Sequence, residues 1–130
     1  MIIDSSALVS IIGDEDDAEE FLSKLLNSNE PLSLSAANYL ETAIVLDGKR
    51  FLSQGYRLDE LIEELQIEIA PVTEKHAKIA RQAYQDFGKG SGHPARLNFG
   101  DCLAYALAAE RGDRLLFKGS DFSHTGIRRA

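Results

Sequence analysis

The sequence predicts an α/β domain of three layers, with a central parallel sheet of four to five strands between helices. Short apolar or alternating segments at Met1–Asp4, Leu32–Ser35, Ile67–Val72 and Arg114–Phe117 are separated by longer segments of helical periodicity. Strands that alternate with helices favour a parallel sheet, because each return in the same direction needs a crossover. Right-handed crossovers then place helices on both faces. At 130 residues the chain is long enough for one core and too short for two, so residues 1–130 are expected to form one domain.

Each element has a local reason. Ile2 and Ile3 form the apolar run of the first strand. Ser5 to Ile12 reads as a short helix closed by Gly13. The acids Asp14 to Asp17 open a second helix running to about Asn27, since negative charge suits a helix N-terminus. Phe21, Leu22, Leu25 and Leu26 give that helix an apolar face. Pro31 breaks the chain before the second strand, and Ser35 can cap a helix from Ala37 to Gln54, with Gly55 beyond it. Leu58 to Leu65 is a further amphipathic helix. After the third strand, Thr73 caps a helix that ends at Gly88. Lys89 to Arg96 has loop composition, with two glycines and a proline. Asn98 caps the helix Phe99 to Arg111, and Gly112 stops it. Arg114 to Phe117 is the last strand, and Arg128 and Arg129 belong to a tail expected to fray.

Composition excludes several classes. Hydrophobic residues are 44% and charged residues 27%, which fits a globular rather than a disordered chain. No apolar run is long enough to span a bilayer, and the acidic start MIID does not resemble a signal peptide. Cys102 is the sole cysteine, so no internal disulfide or multi-thiolate zinc site can form; a core position in a reducing cytoplasm is expected for it. The net charge of −7 argues against a nucleic-acid coat protein and suits pairing with a basic partner segment.

Chemistry in such a sheet lies beyond the carboxyl ends of the strands. Asp4 ends the first strand, Glu41 lies early in the third helix, Asp101 is in the first turn after the glycine loop, and Asp121 follows the last strand. All are compatible with one rim. A hard divalent cation needs oxygen ligands, and separated acids meeting at one rim supply them. Such a cation can activate water and neutralise phosphate charge. Each acid also has a structural reading. Asp4 can cap the helix near Ser6, Glu41 can face solvent, Asp101 stands at the capping-box offset from Asn98, and Asp121 can form a turn. No G-x-S-x-G elbow, P-loop or H-E-x-x-H offers another chemistry.

Four segments resemble the motifs of PIN-domain proteins, in order and over nearly the whole chain. They are MIID4SSAL, ANYLE41, LNFGD101CLAYA and LLFKGSD121F. The chain most resembles the VapC toxins of type II toxin–antitoxin pairs. Many PIN proteins carry Thr-x-Asp directly after the last strand; here Phe117, Lys118 and Gly119 stand there and the first acid is Asp121. A VapC subgroup has a similar Lys-Gly-x-Asp-Phe arrangement. The resemblance implies an endoribonuclease that uses magnesium, or manganese, to cleave RNA such as tRNA or rRNA. It implies Asp4 and Asp101 as principal metal ligands, Glu41 as a ligand or water-bridged acid, Asp121 as the fourth acid, and Ser6 as a supporting hydroxyl. It further implies a homodimer and inhibition by a VapB-like antitoxin.

Lys89, His93 and Arg96 on the glycine loop, and Lys118 beside the last turn, are candidate RNA phosphate contacts. His76 and His124 are expected at the surface. Two alternatives stand beside the nuclease: a PIN-fold interaction module without catalysis, and a magnesium-dependent phosphohydrolase. The second would want Asp-x-Asp at the first strand, where Ser6 stands instead of the second acid.

Overall fold

The computed structural model describes residues 1–52 and 54–130. The elements run β1 (Ile2–Ile3), α1 (Ser5–Ile12), α2 (Ala18–Leu26), β2 (Ser33–Ser35), α3 (Ala36–Asp47), α4 (Tyr56–Glu64), β3 (Glu68–Ala70), α5 (Glu74–Phe87), α6 (Phe99–Arg111) and β4 (Leu115–Leu116), with short 3₁₀ turns at Lys49–Phe51 and Asp121–His124. Among the described residues the four strands form one all-parallel sheet in the order β3-β2-β1-β4. The chain moves outward from β1 to β2 to β3, then returns to place β4 on the other side of β1. The reversal of order lies between β1 and β4, where such sheets open a crevice at the strand ends.

Strand alternation divides the core in two. Ile2 and Leu115 point to one face and pack with the apolar side of α5 and α6, including Ala80, Ala83, Leu103 and Leu107. Ile3, Leu34 and Leu116 point to the other and pack with Leu8, Phe21, Leu46 and Leu58 from the helices of that layer. Each such buried leucine or isoleucine contributes about 1.5–3 kcal/mol. Gly112 ends α6 with φ +63°, where a side chain would cost about 1 kcal/mol.

The three-layer parallel fold is as predicted, and several details differ. Helix α3 stops at Asp47 rather than Gln54, because Gly48 turns extended (ψ 161°) and a 3₁₀ turn follows. Of the acids Asp14–Asp17 only Asp17 reaches α2, as its N-cap and without a side-chain cap bond, while the other three lie in the turn before it. Asp14 takes a left-handed φ of 53°, while Glu15 and Asp17 turn to Lys118 at 2.6 and 2.9 Å. The C-terminal tail does not fray. Leu115 N–H donates to the Arg128 carbonyl at 2.9 Å and Ala130 N–H to the Leu115 carbonyl at 3.0 Å, so the tail adds one bridge of a fifth strand beside β4. The Arg129 guanidinium lies 4.1 Å over the Phe117 ring. His76 is buried, not at the surface. Its Nδ1 accepts the Thr73 N–H at 3.3 Å in the capping box of α5, and its Nε2 bonds to Glu110 of α6. His124, in contrast, is exposed as expected, and Cys102 lies in the core. No helix among the described residues is long and apolar enough to cross a membrane.

Candidate active site

Asp4 emerges from the C-terminal end of β1 and is the N-cap of α1. Its Oδ2 accepts the Ser6 backbone N–H at 3.0 Å and the Ser6 hydroxyl at 2.5 Å. Ser6 Oγ in turn accepts the Lys118 N–H at 3.0 Å, which ties the segment leaving β4 to the same place. Asp4 is only 3% exposed, and its Oδ1 is buried without a hydrogen-bond partner among the described residues. Burial, and next to it the charge of Glu41, push its pKa up against the lowering effect of the Ser6 bonds.

Glu41 projects from the second turn of α3. Its Oε2 accepts the Ser5 hydroxyl at 2.5 Å and the Asn38 side-chain amide at 3.3 Å. Its carboxylate rests against Gly100, at the start of α6. A Cβ at Gly100 would lie 2.4 Å from Oε1 and 2.5 Å from Oε2, so any side chain there would displace the carboxylate from this place.

Asp101 is the third residue of α6 and closes a capping box with Asn98. Its Oδ2 accepts the Asn98 N–H at 2.8 Å, while Asn98 Oδ1 accepts the Asp101 N–H at 2.9 Å. Burial raises its pKa to about 7, helped by the charges of Asp4, Glu41 and Asp121 and opposed by the Asn98 bond. Those charges can act on Asp101 only from nearby. Asp121 begins the 3₁₀ turn after β4 and is exposed; it accepts no hydrogen bond among the described residues.

Asp4, Glu41 and Asp101 therefore share a pattern. Each commits one oxygen to the protein, Oδ2, Oε2 and Oδ2 respectively, and the other accepts no hydrogen bond among the described residues. The capping roles foreseen for Asp4 and Asp101 are real, and they occupy only half of each carboxylate. No three His, Cys, Asp or Glu side chains among the described residues are set ready around one metal-sized point. The donor set fits a hydrated hard cation, which takes one or two carboxylates and keeps several waters, better than a dry cage.

The other candidate residues are placed differently. Lys89 and Arg96 are exposed on the loop before Asp101, Arg96 with a left-handed φ of 50°. His93 is half-buried: its ring packs edge-on to Phe87 at 5.0 Å and its Nδ1 accepts the Ala95 N–H at 3.2 Å, so part of its work is to hold the loop. Lys118 is tied by its ammonium to Glu15 and Asp17, so a phosphate at that position must compete with carboxylates. Ser5, Asn38 and Gly100 were not foreseen as site residues. For Asn38 the available signal was a polar residue three positions before Glu41, on the same helix face.

Fold and site together define an α/β domain with an acidic centre at the switch point of a parallel sheet. Residues 1–127 match the family model described as PIN domain. The chain is 56% identical to VapC ribonuclease Mb0625 of Mycobacterium bovis over 130 residues, covering 100% of this chain and 97% of that one. It is 42% identical to ribonuclease VapC42 of Mycobacterium tuberculosis, again over 130 residues, covering 100% of this chain and 98% of that one. The fold is similar to the crystal structure of M. tuberculosis VapC20, described as a sarcin–ricin loop cleaving toxin, with a TM-score of 0.79 at 14% identity, covering 99% of this chain and 97% of that one. A toxin–antitoxin complex from Klebsiella pneumoniae matches with a TM-score of 0.68 at 14% identity, covering 96% of this chain and 92% of that one. The chain belongs to the PIN-domain family, among the VapC ribonucleases.

Proposed function

We propose that this chain is a divalent-cation-dependent endoribonuclease and the toxin of a toxin–antitoxin pair, with magnesium as its ion and manganese as a substitute. One observation carries the reading: Asp4, Glu41 and Asp101 each hold back one carboxylate oxygen while their charges crowd one another. Like charges gathered in a half-buried place favour a cation. Asp4 and Asp101 would hold it, with Glu41 and Asp121 as further acids directly or through water. A bound dication lowers the pKa of a coordinated water and offsets charge on the scissile phosphate.

The rest falls to the protein. Ser6 fixes the rotation of Asp4 and ties in the backbone at Lys118. Ser5 fixes Glu41. Asn98 fixes Asp101 at a helix N-terminus, whose partial positive charge favours the ionised form. Lys89 and Arg96, exposed on the loop before Asp101, would meet RNA phosphates with the free face of His93, and the substrate would be RNA such as tRNA or rRNA. Retained free oxygens on three acids speak against a module that has lost catalysis.

The partner set follows the family. A VapB-like antitoxin with a basic segment suits the net charge of −7. A homodimer suits the exposed apolar residues Leu40, Ile44, Val45 and Phe99, of which Phe99 is 79% exposed beside the site. Action on RNA and a lone buried thiol suit the cytoplasm. The test is cleavage of RNA by antitoxin-free protein with magnesium or manganese, with EDTA, and with Asp4→Asn. Cleavage that needs the ion and Asp4 is expected. Protein that neither cleaves RNA nor binds either ion defeats the proposal.

A further inference from the structure

Asn38 is fully buried beside the site, at 0% exposure, and its polar side chain is not explained by packing. Its side-chain nitrogen carries two hydrogens and faces three acceptors on three elements, so one hydrogen is shared: the Gly100 carbonyl of α6 at 3.1 Å, and Glu41 Oε2 one turn along α3 and Ser5 Oγ of α1, each at 3.3 Å. Ser5 and Gly100 each adjoin a site acid, Asp4 and Asp101. The amide can face only this way, since a carbonyl and an ionised carboxylate accept and do not donate. The consequence is that Asn38 Oδ1 is left buried with no partner among the described residues. Burying an unpaired carbonyl oxygen is costly, and native folds seldom retain one without a reason.

A leucine of similar size would fill this volume without an orphan oxygen. What leucine would lack is the donor. Ser5 has a single hydroxyl hydrogen, and the 2.5 Å contact places it on Glu41 Oε2. The Asn38 N–H that reaches Ser5 Oγ polarises that same hydroxyl toward Glu41, and hydrogen bonds in such a chain strengthen one another. The second effect is mechanical. By holding the Gly100 carbonyl, Asn38 ties the first turn of α6, which carries Asp101, to the helix that carries Glu41.

We infer that Asn38 is a positioning residue of the ribonuclease site: it clamps Oε2 of Glu41 so that Oε1 is presented to the cation, and it sets the spacing of Glu41 and Asp101. This rests on the metal-dependent reading above. Partners that orient a metal-binding group typically change metal affinity or activity about 10- to 100-fold when removed.

The experiment compares wild type, Asn38→Leu, Glu41→Gln and the double variant. Manganese affinity is read by electron paramagnetic resonance titration, RNA cleavage by kcat and KM, and folding by the melting temperature without metal. For Asn38→Leu the expected result is manganese binding at least about 10-fold weaker and kcat lower by about 10- to 100-fold. KM for RNA should stay within about twofold and the protein should stay folded. In the Glu41→Gln background the same substitution should add less than about twofold, because the group it acts through has already changed. Unchanged manganese affinity and kcat in folded Asn38→Leu overturns the inference. So does a loss of equal size in the Glu41→Gln background, which would mean a general effect on the core. If leucine prevents folding, Asn38→Ala carries both readings. A wild type that neither binds manganese nor cleaves RNA defeats the ribonuclease reading itself, an outcome distinct from an active wild type indifferent to residue 38.

Discussion

Asp101→Asn should make the metal-free protein more stable, and by an amount that depends on pH. The fold lifts the Asp101 pKa from its ordinary 3.8 to about 7, through burial first and then the charges of Asp4, Glu41 and Asp121. An acid whose pKa is higher folded than unfolded holds its proton more tightly in the fold. Stability is then undiminished below the unfolded value, drains as pH rises from about 4 to about 7, and stays at the lower level above that. The gap sets a ceiling of ~4 kcal/mol at 1.36 kcal/mol per pH unit. Asp101 is partly open to water, so about half, ~2 kcal/mol, is a fair expectation. Asparagine has no charge to bury and can still accept the Asn98 N–H. For a domain of this size 1 kcal/mol moves the melting temperature by about 4 °C. In EDTA at pH 8, Asp101→Asn should therefore melt about 8 °C above wild type. The gain should fall below half near pH 5 and vanish near pH 4. Manganese should stabilise wild type at pH 8 and leave the variant unmoved. Melts followed by circular dichroism decide it. No gain at pH 8, or the same gain at pH 4 and pH 8, would refute the claim that a crowded charge is stored at this position.

Three further outcomes follow from the same geometry. Gly100→Ala puts a methyl group 2.4–2.5 Å from the Glu41 oxygens, so the carboxylate must leave its place; RNA cleavage should fall by about tenfold or more, with the metal-free melting temperature nearly unchanged. The magnesium concentration for half-maximal cleavage should rise as pH drops from 8 to 6, by up to about tenfold per unit below 7, because proton and cation compete for Asp101; a flat requirement would show that Asp101 stays outside the ion's reach. His76→Ala removes a buried ring that satisfies Thr73 on α5 and Glu110 on α6; about 2 kcal/mol of stability, or roughly 8 °C, should go, seen in the same melts.

What the sequence made legible was periodic or local. Alternation of short apolar runs with amphipathic helices is enough for the parallel sheet, and caps at Ser35, Thr73 and Asn98 stand where local hydrogen bonding puts them. The misses involve partners distant in the chain. Asp17 stands at the N-cap of α2, but its side chain is taken by Ser10 and by Lys118, 101 residues on, and does not cap the helix. The tail is held by the edge of β4. His76 has the surroundings of a surface helix residue in sequence, and only the packing of α5 on α6 brings Glu110 to it. The orphan oxygen of Asn38 exists only once α1, α3 and α6 have met. Four acids in order could be recognised, but not how each one is held.

In the proposed reading, Asp4 and Asp101 are caps and site acids at once. A carboxylate has two oxygens, and a helix cap needs one. Using the cap as the fixture determines which way the second oxygen faces, because the hydrogen bonds from Ser6 and Asn98 remove the side chain's freedom before any cation arrives. The orientation is then part of folding, and an arriving ion need not impose it. In the proposed site the first turns of α1 and α6, at the sheet's switch point, would serve as the clamps. Serine at position 6 with alanine would separate the two roles. Ser6→Ala keeps the backbone cap on Asp4 and removes the 2.5 Å hydroxyl bond and the tether to Lys118. Stability should fall by only about 1 kcal/mol, while cleavage falls by tenfold or more. Equal, small losses in both would mean that the cap alone is the fixture and the hydroxyl is incidental.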